Sequence, residues 1–354
     1  MNIKIHSSDI NRMMKIITQC IDPKDSNRGN IEIIYENNLF SIRSSNGTYS
    51  AVTCTPVLGG DGESFCVDGT MFARVCAMCN GEISIITDSK TCTIKGAGRT
   101  RLPIVDAKIP SFERVEGKTC TVPAEAFSKG YGNVAYAISA DQSRIQLTGV
   151  RVRSTDNGIE MMALDGFKMA VENILCDTEE MNIVIPGAFM KLISIGTFAG
   201  ETVTIQTDGK RIQASTDGMM ISCGLLAGEF PDLDRIIPKE FKTETLVGAD
   251  SMQSALKSGS VVNTNNNLVK LNVEQNNLTV MSNSEQADFD AEVACVTNGQ
   301  ELKIAFNLKY LMETIASIGQ SEIVMKFNSS VSPCILQGKE NTGFRLILPV
   351  RVAG

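Results

Sequence analysis

A pattern that recurs roughly every 120 residues constrains this chain more than any other feature. Near the end of each third, an extended apolar segment runs into a short amphipathic helix and then into alternating strands. The first copy reads SFCVDGTMFARVCAMCNGEISIITDSKTCTIKG from Ser64, the second NIVIPGAFMKLISIGTFAGETVTIQTDGKRIQAS from Asn182, and the third LKIAFNLKYLMETIASIGQSEIVMKFNSSVSPCIL from Leu302. Setting Asp68, Pro186 and Phe306 at one position brings the helices and strands into register. A unit of this length is a whole domain, not a solenoid repeat.

The opening halves of the thirds are also alike. His6-Ser7-Ser8-Asp9 precedes Ile10, Met13, Met14, Ile17 and Ile21, which is helical spacing behind a good cap. Val122-Pro123-Ala124-Glu125 precedes Phe127, Tyr131 and Val134, and Gly248-Ala249-Asp250-Ser251 precedes Met252, Ala255 and Leu256. Alternating strands follow, such as 31–35 and 268–273, separated by turns at 36–38, 156–158 and 275–277. The fold class is therefore α+β: three tandem domains, each two β-α-β-β-β halves, with two helices on antiparallel sheets. Polar connections at 116–118 and 239–242 place the boundaries at 1–117, 118–241 and 242–354.

A chain of 354 residues, 43% apolar, is long enough for two or three cores. No apolar run approaches the ~20 residues that span a bilayer. The opening MNIKIHSSDI lacks the basic flank and apolar stretch of a secretory signal, so the expected location is the cytoplasm. Eleven scattered cysteines fit a reducing compartment, and the odd count opposes a closed disulfide framework. The net charge of −7 weighs against nucleic acid only if it is evenly spread. The six expected helices carry Arg12 and Lys15, Arg74, Lys129, Lys191, Lys257, and Lys309 in turn, with few acids beyond their first turns apart from Glu313; that pattern suits a basic face and equally the ordinary cations of surface helices.

Specific text appears in the second third. The run from Asn133 through VAYAISADQSRIQLTGVRVRSTDNGIEMMALDGFKMAVEN resembles the bacterial DNA polymerase III beta subunit, the sliding clamp family. Gly228-Glu229-Phe230-Pro231-Asp232, Phe306-Asn307-Leu308-Lys309-Tyr310-Leu311, Ser330-Val331-Ser332-Pro333 and Leu346-Ile347-Leu348-Pro349-Val350-Arg351 extend the likeness, as does 98–103 in the first third. The resemblance implies a head-to-tail homodimer, helices lining a ring and antiparallel sheets outside, with double-stranded DNA inside. Helices packed ~8–10 Å apart support that stoichiometry: six put their axes on a circle only ~17 Å across, twelve on one of ~35 Å. Arg12, Lys15, Arg74, Lys129, Lys191, Lys257 and Lys309 would then face the phosphates, independent of sequence and sensitive to salt.

The resemblance also implies a cleft for short partner peptides. Leu147, Leu164, Gly166, Met169, Pro231 and Ile236 would form one wall, and Val331, Leu346, Leu348, Pro349 and Val350 the other. Arg144, Arg235, Tyr310 and Arg351 would mark the polar edges. Phe167 and Lys168 depart from the family's usual His or Tyr and Arg, and Lys cannot make a planar two-pronged contact. The chain also runs on past Arg351 by three residues, which could drape the cleft. At ring closure, Leu102 and Ile104 would meet Ser260 and Val261 of the second copy. The implied partners are a clamp loader, the replicative polymerase and other proteins bearing a clamp-binding peptide, with no membrane and no cofactor.

Enzymatic readings have little to stand on. The one histidine, His6, sits beside a helix cap, which excludes His-rich metal sites and makes a Ser-His-Asp triad improbable. Cys76 and Cys79 have CxxC spacing, but Cys76 shares a helix face with Phe72, which reads as packing. There is no phosphate-binding Gly-Lys-Ser/Thr loop, and Asp165-Gly166-Phe167 lacks the other kinase motifs. The expectation is thus a non-catalytic processivity factor with no exonuclease of its own. Its rivals are a thiol-dependent or hydrolytic enzyme, and a clamp-derived monomeric peptide-binding adaptor that does not encircle DNA.

Overall fold

The computed structural model describes residues 1–352 other than 58–59, 63, 195–199, 234–235, 264–266 and 340–342. Its elements run in six β-α-β-β-β halves. The first is β1 (Asn2–His6), α1 (Ser7–Ile17), β2 (Asn30–Glu36), β3 (Leu39–Ser45) and β4 (Tyr49–Pro56). After the short β5 (Gly60–Asp61) come β6 (Phe65–Asp68), α2 (Gly69–Ala77), β7 (Glu82–Thr87), β8 (Thr91–Lys95) and β9 (Arg99–Pro103). The third half is β10 (Lys118–Pro123), α3 (Ala124–Val134), β11 (Gly149–Thr155), β12 (Gly158–Leu164) and β13 (Lys168–Leu175). Beyond β14 (Asp177–Thr178) lie β15 (Asn182–Pro186), α4 (Gly187–Ser194), β16 (Thr202–Thr207), β17 (Arg211–Thr216) and β18 (Met219–Gly224). The fifth is β19 (Thr243–Gly248), α5 (Ala249–Val262), β20 (Leu268–Val273), β21 (Asn277–Asn283) and β22 (Asp288–Gly299). The sixth is β23 (Leu302–Asn307), α6 (Leu308–Ala316), β24 (Glu322–Phe327), β25 (Cys334–Gly338) and β26 (Phe344–Ile347).

Local chemistry explains where the helices start. Each begins as a strand ends, and in α1, α2 and α6 a side chain satisfies one of the free first-turn N–H groups. His6 Nδ1 accepts from the Ser8 amide at 3.3 Å, Asp68 Oδ1 from Met71 at 2.7 Å, and Asn307 Oδ1 from Tyr310 at 3.1 Å. The structural equivalents are thus Asp68, Pro186 and Asn307. The sequence register, which used Phe306, was one residue early, because Phe306 is the fully buried strand residue before the cap. Between β2 and β3, Asn37 (φ 54°) and Asn38 (φ 62°) both take left-handed backbone, the geometry a two-residue hairpin needs.

The chain forms two compact units. Unit one comprises Met1–Ser128, Cys176–Met181 and Ala188–Leu225; unit two comprises Lys129–Leu175, Asn182–Gly187 and Leu226–Gly354. These units divide the segment 118–241 between them. In unit one, β5-β1-β7-β8-β9 form a five-stranded sheet and β14-β10-β16-β17-β18-β4-β3-β2-β6 a nine-stranded one. Unit two carries a twelve-stranded sheet ordered β15-β11-β12-β13-β26-β25-β24-β19-β22-β21-β20-β23. The joins pair antiparallel strands from different thirds of the sequence: Met219 lies opposite Thr53, and Met169 opposite Leu346.

The helices bury one face each. Ile10, Met13, Met14, Ile16 and Ile17 of α1 and Phe72 of α2 are enclosed in unit one, and Met252, Leu256, Leu311 and Ile315 of α5 and α6 in unit two. Each such side chain contributes about 1.5–3 kcal/mol relative to exposure. α1 packs on α2 and α5 on α6, where Gln253 donates to the Met312 carbonyl at 2.7 Å. Ser128 of α3 donates to the Ser194 carbonyl of α4.

Gly117 shows how tightly the edge of the nine-stranded sheet is drawn. Its φ is +151°, and an added Cβ would fall 2.1 Å from the Thr207 carbonyl oxygen. Gly117→Ala therefore has to move backbone, and it is expected to cost more than about 1 kcal/mol. A shift of the urea midpoint checks this, and an unchanged midpoint would contradict the placement.

Candidate partner-binding site

The site begins with a tight turn. Between β12 and β13, Asp165 Oδ1 accepts from the amides of Phe167 (2.9 Å) and Lys168 (3.0 Å), and Gly166 takes a φ of +94°. This local bonding explains why an Asp-Gly pair ends β12. The turn leaves Phe167 58% exposed at the hairpin tip, its ring 5.9 Å from that of Tyr310. Next to the hairpin, β26 pairs with β13, and beyond it the Leu348 amide donates to the Phe167 carbonyl at 2.9 Å. The segment that follows β26 is thereby fixed beside the turn.

An apolar hollow of about 130 Å³ opens here, lined by Leu164, Gly166, Phe167, Lys168, Met169, Leu233, Ile236, Leu346 and Leu348. Its floor is a closed cluster in which Leu147, Met162, Leu164, Met169, Val171, Leu233, Ile335 and Leu346 are buried, supported by Phe230, Ile237, Phe241 and Phe344. Leu348 and Ile236 remain exposed at the rim. A rigid floor with apolar, unsatisfied rim groups suits leucine or aromatic anchors of an extended peptide.

The structure thus brings together eight of the residues assigned from sequence, with Leu147 beneath them. Others lie elsewhere. Val331, Val350 and Arg351 line a second hollow, with Lys270, Met281, Lys303 and Ala305 among their neighbours. The Val350 amide donates to the Ala305 carbonyl at 2.8 Å, which carries the terminal segment alongside β23. The single cleft expected from sequence is therefore two hollows. Val352 lines the second one, and the last two residues lie outside the described chain. Arg144 is exposed at a break in a 3-10 segment (φ −120°, ψ 69°), and neither it nor Pro231 or Pro349 lines the first hollow. Arg235 lies outside the described residues.

Lys168 needs the largest correction. The sequence placed its charge at an edge facing partners. Instead the side chain is 7% exposed, its ammonium paired with Glu313 of α6 and 3.8 Å from Asp165. It also lies over the rings of Tyr310 (4.7 Å) and Tyr136 (5.2 Å). A carboxylate and two aromatic faces compensate the ammonium for lost water, so burial wins over exposure. Only the walls of the hollow gain from Lys168. Leu233, Glu313 and Tyr136 were missed from sequence, although Glu313 had stood out as the one acid beyond a helix's first turn.

Of the cations assigned to DNA, Lys15, Arg74, Lys129, Lys191, Lys257 and Lys309 are exposed on their helices, and Arg12 is half-buried. Lys309 shares Glu313 at 4.0 Å. Of the four residues assigned to ring closure, Val261 is 79% exposed and Ser260 is exposed, but Leu102 is only 5% exposed. Leu102 packs inward from β9, an edge strand whose Arg99, Arg101 and Pro103 face solvent instead. Cys76 is fully buried, and burial pushes its thiol up to about 12, as suits a packing residue. No helix among the described residues is long and apolar enough to cross a membrane.

Residues 121–232 match the family described as DNA polymerase III beta subunit, central domain, and residues 234–351 match the C-terminal domain of the same subunit. The chain belongs to the DNA polymerase III beta subunit family. Among curated relatives of this family, the beta sliding clamp of Streptomyces coelicolor is 25% identical over 308 residues, covering 81% of this chain and 82% of that protein. The beta sliding clamp of Bacillus subtilis is 26% identical over 286 residues, covering 77% and 76%. In three dimensions, the DNA polymerase III beta subunit of Thermotoga maritima superposes with a TM-score of 0.91 at 22% identity, over 99% of this chain and 100% of that one. That likeness establishes the family's fold along the whole chain, including the first third, where family text is thinnest.

Proposed function

We propose that the chain works as a DNA sliding clamp: two copies close head to tail around duplex DNA and hold a replicative polymerase on its template. The observation that carries this reading is the sixfold β-α-β-β-β succession, whose helices present exposed cations while the chain as a whole is acidic. Three domains, 1–117, 118–241 and 242–354, would each supply a pair of helices to the inner wall. Lys15, Arg74, Lys129, Lys191, Lys257 and Lys309 would attract phosphates through counterion release, with Arg12 contributing less because it is half-covered. Contacts to phosphate alone favour no register, so the ring can move along the duplex. The acidic remainder repels DNA from the outer surface. The clamp has no catalytic role in this reading. Its hollow beside Phe167 takes a peptide from the polymerase, the clamp loader or other partners, in the cytoplasm.

Loading the protein onto nicked circular DNA with a clamp loader, then cutting the circle, tests the topology. The clamp is expected to stay on the circle and to leave the linear form through its ends. Equal retention on both forms would overturn the proposal. The adaptor reading draws on the inward position of Leu102 and the polar Ser260, which leave less apolar surface for ring closure. A monomeric mass by sedimentation at micromolar concentration would favour it.

A further inference from the structure

Two thiols in unit one stand apart from the other cysteines. Cys120 lies on β10 and Cys176 just before β14, the edge strand of the nine-stranded sheet, and their sulfurs are 3.6 Å apart. The backbone holds them there. Cys120 pairs with Thr178 across the β10–β14 ladder, the Glu179 amide donates to the Thr119 carbonyl at 2.9 Å, and the Thr119 amide donates to Glu179 Oε2 at 2.6 Å. Cys120 is fully covered, whereas Cys176 is half-exposed. The other cysteines with resolved shifts are stabilised as thiols. Burial pushes Cys20, Cys76, Cys92 and Cys223 up to about 12 and Cys66 up to about 11. Cys120 moves the other way: the hydrogen bond with Cys176 holds it below the ordinary thiol value, against the effect of its own burial.

We propose that Cys120 and Cys176 form an oxidant-sensitive dithiol, a modification site at which a hydroperoxide closes a disulfide across the edge of the nine-stranded sheet. The half-exposed Cys176 meets the oxidant first. Its sulfur attacks one oxygen of hydrogen peroxide and gives up its proton, the O–O bond breaks, and the departing hydroxide takes that proton to become water. The Cys176 sulfenic acid is then attacked by the Cys120 thiolate. The S–S bond forms, the S–O bond breaks, and a second water leaves. One peroxide is reduced to two waters as two thiols are oxidised to one disulfide. The sulfurs have to close by roughly 1.5 Å to reach bonding distance. A dithiol of this kind in a reducing compartment acts transiently and is reopened by cellular thiols. The inference is independent of DNA encirclement.

The experiment treats the reduced full-length chain with hydrogen peroxide under native conditions, then alkylates it and maps its peptides by mass spectrometry. The expected product is a linked pair of peptides containing Cys120 and Cys176, about 2 Da lighter than the two thiol peptides together and restored by dithiothreitol. Cys120→Ser is expected to abolish the linkage and to leave a Cys176 sulfenic acid that dimedone traps. A wild-type chain in which Cys176 stays fully alkylatable after peroxide would overturn the proposal. So would one in which Cys176 is oxidised or forms mixed disulfides without ever linking to Cys120.

Discussion

Changing Leu348 to aspartate weakens binding of a peptide with leucine or aromatic anchors by about 30-fold or more, the loss expected when a central apolar contact of at least ~2 kcal/mol is removed. The reason lies in the geometry of the rim. Leu348 is 37% exposed, so its side chain contributes to the mouth of the hollow and little to the interior. Its backbone amide, bonded to the Phe167 carbonyl, is retained in the variant. A carboxylate at that position has to lose water against Leu164, Met169 and Leu346, and the one cation among the described lining residues, Lys168, is already held by Glu313. Fluorescence anisotropy of a labelled peptide measures the loss, and an unchanged melting temperature shows that the fold is intact. Normal affinity in Leu348→Asp would remove this hollow from consideration. Met169→Asp is a poorer test, because Met169 is only 4% exposed and the charge would disturb the floor.

Glu172→Ala is expected to destabilise the protein by about 3–5 kcal/mol, the loss that follows when one partner of a buried ion pair is deleted. Arg345 is 1% exposed and pairs with Glu172, which also accepts from Asn133 Nδ2 at 3.1 Å. The remaining guanidinium donors go to the Val171 and Phe344 carbonyls and to Ser317, all within 3.1 Å. Without the carboxylate, a full positive charge stays inside the protein beside the β13–β26 ladder. The companion variant Glu172→Leu with Arg345→Met removes both charges and is expected to recover much of the loss. Urea unfolding compares the three proteins. A Glu172→Ala midpoint close to wild type would mean that water reaches Arg345.

The halves of this fold were legible in the sequence because their periodicity is strong. Alternation in 31–35 and 268–273, and the spacing of Ile10, Met13, Met14 and Ile17, mark the faces that are buried. The hidden part was the pairing between halves. Nothing in the residues of β4 or β18 says that they lie side by side, since an edge strand and a joined strand alternate alike. The site was partly legible for another reason, the resemblance to a known family. Leu164, Met169 and Leu346 lie on β12, β13 and β26, Leu348 follows directly after β26, and all four line the hollow. Lys168 did not follow, because its position depends on Glu313, 145 residues away in sequence. Splitting the cleft into two hollows likewise required knowing that the terminal segment bonds to Ala305.

The ladder from β13 to β26 and that from β4 to β18 run across the seams of the threefold repeat. The middle third, cut out alone, would bare a row of unsatisfied amides and carbonyls on each flank, a template for runaway stacking of strands. The repeat is therefore a unit of pattern rather than of autonomy, and the thirds are woven into one cloth by their borders.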